Sequence, residues 1–322
     1  MLWWIAAVAL AVVLITRPAE TQPIDPNPSS SFRIVALGDS YISGEGAESF
    51  FPGTDEFGVN QCHRAATAYP YLVAEELEAS LTFVACSGAR TEDVTRRGQY
   101  PGSDPDVFGA KPQLTVLREV AQPDVVLIGI GGNDAGFAEI GLGCAAPGAP
   151  DCTRSAPRWL RRLDAEVYPA LLHTLTAVRQ AADGAEVFAV TYPNPIGPKY
   201  CPDIGLSERE MRFVRDVFLG RLNKAIESAA AAARIHVIDL TGSLAGQRIC
   251  EQPLRRAAVN FLTLERTSGS TIHLSLKGLA SLARGIFHPN RRGHELMAKT
   301  VLAELEALRA GRLKPLPPPA PR

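Results

Sequence analysis

The sequence predicts a three-layer α/β/α fold around a parallel five-stranded sheet, and three observations carry that prediction. Short apolar, β-rich runs alternate with longer helical patterns, which is how parallel strands come to share one sheet with helices on both faces. The runs are near-continuously apolar, as burial on both faces demands. The longer loops nearly all follow strand C-terminal ends, where sheets of this kind bind ligands. At 322 residues and 46% hydrophobic, the chain has ample material for a sizeable core.

The elements follow in order. The stretch from Met1 to Ile15 is apolar and stops at Arg17. It is shorter than the ~20 residues a bilayer span needs, so residues 1–17 are expected to be a signal peptide or short signal anchor. Export follows, as a secreted protein or one held at the cell envelope by this segment. Residues 18–31 are rich in Pro, Ser and other polar residues and read as a linker. The folded domain then spans 32–310. Its first strand is Phe32-Arg33-Ile34-Val35-Ala36-Leu37, and further strands are expected at 81–85, 125–130, 186–190 and 235–239. Helical patterns occupy about 66–79, 111–121, 157–182, 207–232 and 291–310, with loops at 41–65, 90–110, 136–156, 193–206 and 240–287. Residues 311–322 are too Pro-rich for a helix or central strand and read as an extended tail. No internal repeat is present.

Lys and Arg number 33 against 34 Asp and Glu, and no basic run stands out, so a nucleic-acid partner is not expected. The six cysteines, Cys62, Cys86, Cys144, Cys152, Cys201 and Cys250, suit an oxidising compartment. They form no CxxC pair and no zinc-finger spacing with histidine, so neither a metal nor another cofactor is expected. Six cysteines allow fifteen connectivities. The sequential one is expected (Cys62 with Cys86, Cys144 with Cys152, Cys201 with Cys250), against free buried thiols as the alternative. All six lie at or beyond strand ends, so these bridges would staple the binding-face loops. A monomer is expected.

The candidate chemistry lies at the strand ends. The first strand stops at Gly38-Asp39-Ser40-Tyr41, the second at Cys86-Ser87-Gly88-Ala89, the third at Gly131-Gly132-Asn133-Asp134. A strand order of 2-1-3 brings these ends together at the switch point of a flavodoxin-like sheet. Acyl transfer needs a nucleophile, a base and donors aimed at the developing oxyanion. Ser40 is the candidate nucleophile. The main-chain N–H groups of Ser40 and Gly88 and the Asn133 amide are the candidate donors, and glycine at 88 permits close approach. Each also has a plain alternative: Ser40 as a helix cap, Gly88 as a turn glycine, Asn133 as a turn former and Asp134 as a cap. Of six histidines, His173 and His236 fall inside a helix and a strand, and His63 neighbours a cysteine. His288, in Phe287-His288-Pro289-Asn290 before the last helix, is the best candidate base.

These four blocks, in this order, resemble the SGNH (GDSL-type) hydrolase family. Three longer strings are similar to its secreted actinobacterial lipase/esterase branch, which carries three disulfides. They are Gly38-Asp39-Ser40-Tyr41-Ile42-Ser43-Gly44-Glu45-Gly46-Ala47, Ala85-Cys86-Ser87-Gly88-Ala89, and Cys62-His63-Arg64 followed by Ala68-Tyr69-Pro70. The resemblance covers about residues 32–310. It implies Ser40 as nucleophile, His288 as base, and Ser40, Gly88 and Asn133 as the oxyanion hole, with a covalent acyl-enzyme.

One departure stands out. Many family members carry an Asp three residues before the histidine, where this chain has Gly285. A Ser40–His288 dyad is therefore expected, with a main-chain carbonyl, that of Gly285, orienting the ring; Asp239 is the first suspect for a distant acid. Without a nearby negative charge the activity limb is expected near or below the ordinary histidine value of ~6.5. The resemblance implies a small-molecule or lipid ester as substrate, and other readings compete with it. An α/β-hydrolase would need a G-x-S-x-G elbow, which is missing around Ser40. A nucleotide-binding module would need a phosphate loop, and Gly131-Gly132 leads into Asn-Asp. An exported carbohydrate or cell-envelope deacetylase of the same family, or a non-catalytic binding module, remains the alternative. Phe50, Phe51, Phe57, Phe108, Phe137, Tyr192, Phe261 and Phe287 are candidates for an apolar groove, or else pack the loops. With a dyad, no Asp→Asn substitution should lower turnover as Ser40→Ala does, which parallel kinetics of the variants would check.

Overall fold

The computed structural model describes residues 24–56, 59–100, 109, 111–145, 151–261 and 285–312. The expected signal segment, the start of the linker and residues 313–322 of the expected tail lie outside the described residues. Five parallel strands form the sheet: β1 (Arg33–Gly38), β2 (Ser80–Phe83), β3 (Val125–Gly129), β4 (Glu186–Val190) and β5 (His236–Ile238). Their order is β2-β1-β3-β4-β5, so β1 lies between β2 and β3 as anticipated. Ile34 stands opposite both Leu81 and Val125, and Val126 opposite Val187. Every residue of β3 is buried, which explains its unbroken apolar run.

The helices are α1 (Ser40–Ser43), α2 (Tyr69–Glu76), α3 (Thr91–Thr95), α4 (Gln113–Glu119), α5 (Gly132–Ala135), α6 (Phe137–Ala145), α7 (Ala156–Arg162), α8 (Tyr168–Ala181), α9 (Glu208–Arg212), α10 (Leu219–Ala233) and α11 (Arg291–Arg309). α2 packs with α11, while α8 packs with α3, α4 and α10, and these groups form the two outer layers. Among the described residues no helix is long and apolar enough to cross a membrane.

Several boundaries differ from expectation for local reasons. β2 stops at Phe83 because Val84 and Ala85 both donate to the Ala36 carbonyl, turning the chain off the sheet. α2 starts at Tyr69, with Pro70 in the first turn, where a missing N–H costs nothing. The two long helical patterns contain π-helical segments, Leu163–Val167 before α8 and Phe213–Phe218 before α10. Pro169 follows the first, and its absent N–H leaves the ordinary i→i−4 bond unmade there. Residues 136–156, expected as loop, include α6, whose Phe137 and Ile140 face a cavity and whose Cys144 is bonded to Cys152. The described end of the expected linker lies against the domain: Asp25 accepts from the Ser80 hydroxyl at 2.7 Å and the Leu81 N–H at 2.9 Å. Those contacts cover the β2 edge of the sheet. All six cysteines are paired in the sequential order.

The end of β1 is held most tightly. The Gln113 amide donates to the Gly38 carbonyl at 2.8 Å, and its oxygen accepts the Gly38 N–H at 2.7 Å. Gly38 has φ +138°, and a Cβ there would lie 2.2 Å from the Gly129 carbonyl oxygen. Only glycine lets β1 pass β3 that closely. Gly38→Ala should therefore lower stability by about 2–4 kcal/mol in urea unfolding; a loss under about 0.5 kcal/mol would contradict this packing.

Candidate active site

β1 delivers Ser40 to the first position of α1. Asp39 is the cap, accepting the Tyr41 N–H at 3.1 Å, so Ser40 is free of the capping role. His288, 248 residues later, places Nε2 2.8 Å from the Ser40 Oγ. This is the distance at which a serine hydroxyl donates to a neutral ring. The histidine loop is pinned from several sides. The Tyr41 hydroxyl donates to the Phe287 carbonyl at 2.9 Å, and the Tyr41 ring lies 4.8 Å from that of His288. Asn260 accepts the Phe287 N–H and donates its own N–H to the His288 carbonyl, both at 2.9 Å. Asn290 then caps α11. The Gly285 carbonyl accepts the main-chain N–H of His288 at 3.1 Å, closing the turn that carries the base.

Gly88 and Asn133 reach the same cavity as Ser40 and His288. Gly88 has φ +81°, in a loop tied down by the Cys62–Cys86 bridge and by the Ser87 N–H, which donates to the Cys62 carbonyl at 3.0 Å. The Asn133 amide donates one N–H to the Ala89 carbonyl at 2.9 Å, leaving its second donor for another acceptor. Asp134 accepts the Thr91 hydroxyl at 2.6 Å and the Thr91 N–H at 3.1 Å, so it works at the start of α3.

Tyr192, beyond the end of β4, joins these pieces. Its hydroxyl donates to Asp39 at 2.5 Å and accepts the Gly132 N–H at 2.7 Å. Burial pushes the Asp39 carboxyl up to about 7, against the lowering effect of the Tyr192 and Tyr41 hydrogen bonds. On α11, His294 accepts the Tyr69 N–H at 3.2 Å; burial, then the charge of His288, holds it down to about 3. Glu45 is a buried carboxylate that sequence reasoning left without a role. Burial pushes it up, but the His63 hydrogen bond and charge, the charge of His288 and the Ser87 hydroxyl together hold it below the ordinary value.

The cavity measures about 270 Å³ and is mainly apolar, with Phe137, Ile140, Val214, Leu219, Ile286 and Phe287 in its wall. A second, polar recess shares Gly88 and is lined by Arg90, Asp93, Arg97 and Gln99. Of the candidate aromatics, Phe137 and Phe287 line the apolar cavity. Phe261 backs Phe287, Phe50 stacks on His63 and Phe51 packs on Tyr71. Tyr192 is buried in the network below, and Phe57 and Phe108 lie outside the described residues. Asp239 accepts from Thr191 at 3.1 Å and from the Thr241 N–H at 2.8 Å, the role of a loop cap. The signal for Tyr192 was its place just past a strand end; its partners come from distant segments that no spacing reveals.

A family model described as the GDSL-like lipase/acylhydrolase family matches residues 36–296. Lipase 2 of Streptomyces coelicolor is 31% identical, over 77% of this chain and 83% of its own. A lipase of Streptomyces rimosus is 31% identical over 67% of this chain and 72% of its own. The crystal structure of an extracellular lipase from Streptomyces rimosus is similar with a TM-score of 0.66 at 27% identity, covering 86% of this chain and 99% of that one. Phospholipase A1 from Streptomyces albidoflavus shares the fold, with a TM-score of 0.64 at 24% identity over 85% of this chain and 99% of its own.

The Asp39 shift has a sign. A carboxyl raised from 3.8 to about 7 contributes stability that is fully present below 3.8 and is lost as pH rises through about 7. Asp39→Asn keeps a cap acceptor and removes that titration. The unfolding midpoint of the variant should gain on wild type across this window, and a constant difference from acid to neutral pH would refute the buried carboxyl's shift.

Proposed function

The chain belongs to the GDSL-like lipase/acylhydrolase family, and from that premise we propose how it hydrolyses carboxylic esters. The observation that carries the reading is the 2.8 Å approach of His288 Nε2 to Ser40 Oγ in the wall of an apolar cavity. Ser40 attacks the ester carbonyl carbon as His288 takes its proton. The carbonyl oxygen becomes an oxyanion, held by the N–H groups of Ser40 and Gly88 and by the Asn133 amide. As the tetrahedral intermediate collapses, the bond to the alcohol oxygen breaks and His288 protonates that oxygen. Water, deprotonated by His288, then attacks the acyl-Ser40 carbonyl and releases the acid.

Ser40 and His288 act as a dyad in this reading, with the Gly285 carbonyl as the ring's acceptor. The commitments of the neighbouring carboxylates support it. Asp39 is engaged by Tyr192, Asp134 by Thr91, Asp239 by Thr191 and Thr241, and Glu45 by His63 and Ser87. The acyl chain lies in the apolar cavity and the alcohol faces the polar recess beside Gly88. An acetyl group would leave most of the apolar wall uncovered, so a lipase or esterase for longer acyl chains is the better reading than a deacetylase. Three disulfides and the extracellular relative support export.

The test is a chain-length series of chromogenic esters. Each buried methylene adds about 0.8 kcal/mol, so kcat/KM should rise about fourfold per CH₂ until the cavity is filled. Ser40→Ala should lower kcat by at least about 10³-fold on every ester; hydrolysis that survives it would sink the nucleophile assignment. Val214→Trp, in the cavity wall, should move the optimum to shorter chains while short-ester kcat stays within about twofold.

A further inference from the structure

Glu45 and His63 belong to two of the motif strings that the dyad does not use, and they meet in the interior. Both are 2% exposed. The Glu45 Oε2 accepts from the His63 Nδ1 at 2.5 Å and from the Ser87 hydroxyl at 2.7 Å. The other ring nitrogen of His63 lies 3.1 Å from Asp55, whose side chain is 60% exposed. Phe50 stacks over the His63 ring at 4.7 Å. The Glu45 main-chain N–H donates to the Ser40 carbonyl at 3.1 Å, so the backbone that carries the carboxylate is tied to the nucleophile's own residue. One carboxylate oxygen thus joins three segments: the exit of α1, the Cys62-His63 corner and the Ser87-Gly88 turn. Gly46, next in the chain, runs against His288: a Cβ on it would lie 3.0 Å from the His288 Cβ. Burying a carboxylate costs several kcal/mol, so apolar packing would serve stability as well. Its position around the reacting groups points to a role in the reaction.

We propose that Glu45 is a positioning residue for the hydrolysis. It holds Ser87, and through it the Gly88 N–H of the oxyanion hole, and it supplies from the serine's side the negative charge that a triad acid supplies from the histidine's. This rests on the reading of Ser40 and His288 as the dyad. It also revises the expectation of an activity limb set by the absence of nearby charge. The charged and titratable groups around His288 are Asp39 and Tyr41 at the start of α1, Glu45 at its exit, His294 on α11 and, one step out, His63 and Asp55.

Charge and position are separable. Glu45→Gln keeps an acceptor for Ser87 and removes the charge. The acid limb of its kcat/KM profile should move down by about one pH unit, with KM within about twofold. Ser87→Ala keeps the charge and removes the tether; its kcat should fall about tenfold with the limb unmoved. A purely structural role would lower the melting temperature and the active fraction of Glu45→Gln and leave the limb in place, and that result overturns the proposal. If Glu45→Gln does not fold, wild-type kcat in Ser87→Ala overturns it instead. His288→Asn separates the two levels. Activity retained there refutes the dyad itself, whereas activity lost there with an unmoved Glu45→Gln limb refutes only the role of Glu45.

Discussion

One buried carboxylate, Asp39, holds together the segments that carry the site. It caps α1 through the Tyr41 N–H and accepts the Tyr192 hydroxyl, which in turn accepts the Gly132 N–H. The ends of β1, β3 and β4 are therefore joined by a chain of hydrogen bonds in a region closed to water. Such bonds are strong in a low dielectric, and leaving any member unpaired is costly. Ser40 and Asn133 are each one residue from a member of this chain. Their spacing is thus set by bonds below the cavity, which leave the Ser40 hydroxyl to His288 and the second N–H of the Asn133 amide for another acceptor.

The histidine is placed by a second set of contacts, anchored in the same short helix. Tyr41 follows Ser40 directly and reaches the Phe287 carbonyl, so nucleophile and base share a strut. Phe287 has φ +65°, a conformation a bulky residue adopts only where its surroundings impose it. Asn260 on one side and the Asn290 cap on the other impose it here. The disulfides act at one remove. Cys62–Cys86 fixes the corner carrying His63 to the turn carrying Gly88, and Cys144–Cys152 closes the stretch that follows Phe137 and Ile140. The bridges lie where the chain leaves the sheet, because the sheet is already held by its ladder and by burial on both faces.

The strands and the turns at their ends were legible in the sequence. Unbroken apolar runs reveal strands buried on both faces, and β3 is buried at every position. Gly38, Gly88 and Gly131-Gly132 reveal turns at strand ends. The misses were local. α6 was expected as loop because its glycines weaken the helical pattern; its Cys144 bridge and the cavity packing of Phe137 and Ile140 support it there. The apolar run predicts a strand through Ala85 because Val84 and Ala85 are strand-type residues, while both donate to a single carbonyl and leave the sheet. The π segments were invisible, since periodicity does not register one extra residue in a turn.

Sequence alone determined the alternation of strands and helices and the glycine turns at the strand ends, which follow from local rules of hydrophobic period and turn chemistry. The strand order and the sequential disulfide pairing were expectations that the fold bears out, and the serine, glycine, asparagine and histidine were singled out by their order along the chain and the family it resembles. Only the tertiary structure decided which groups surround them. Glu45 was a polar residue in a glycine-rich turn until folding placed His63 and Ser87 on its carboxylate, and Tyr192 was a strand-end aromatic until Asp39 met its hydroxyl. A side chain's partner depends on where distant segments cross, and the spacing of residues along a chain holds no record of that crossing.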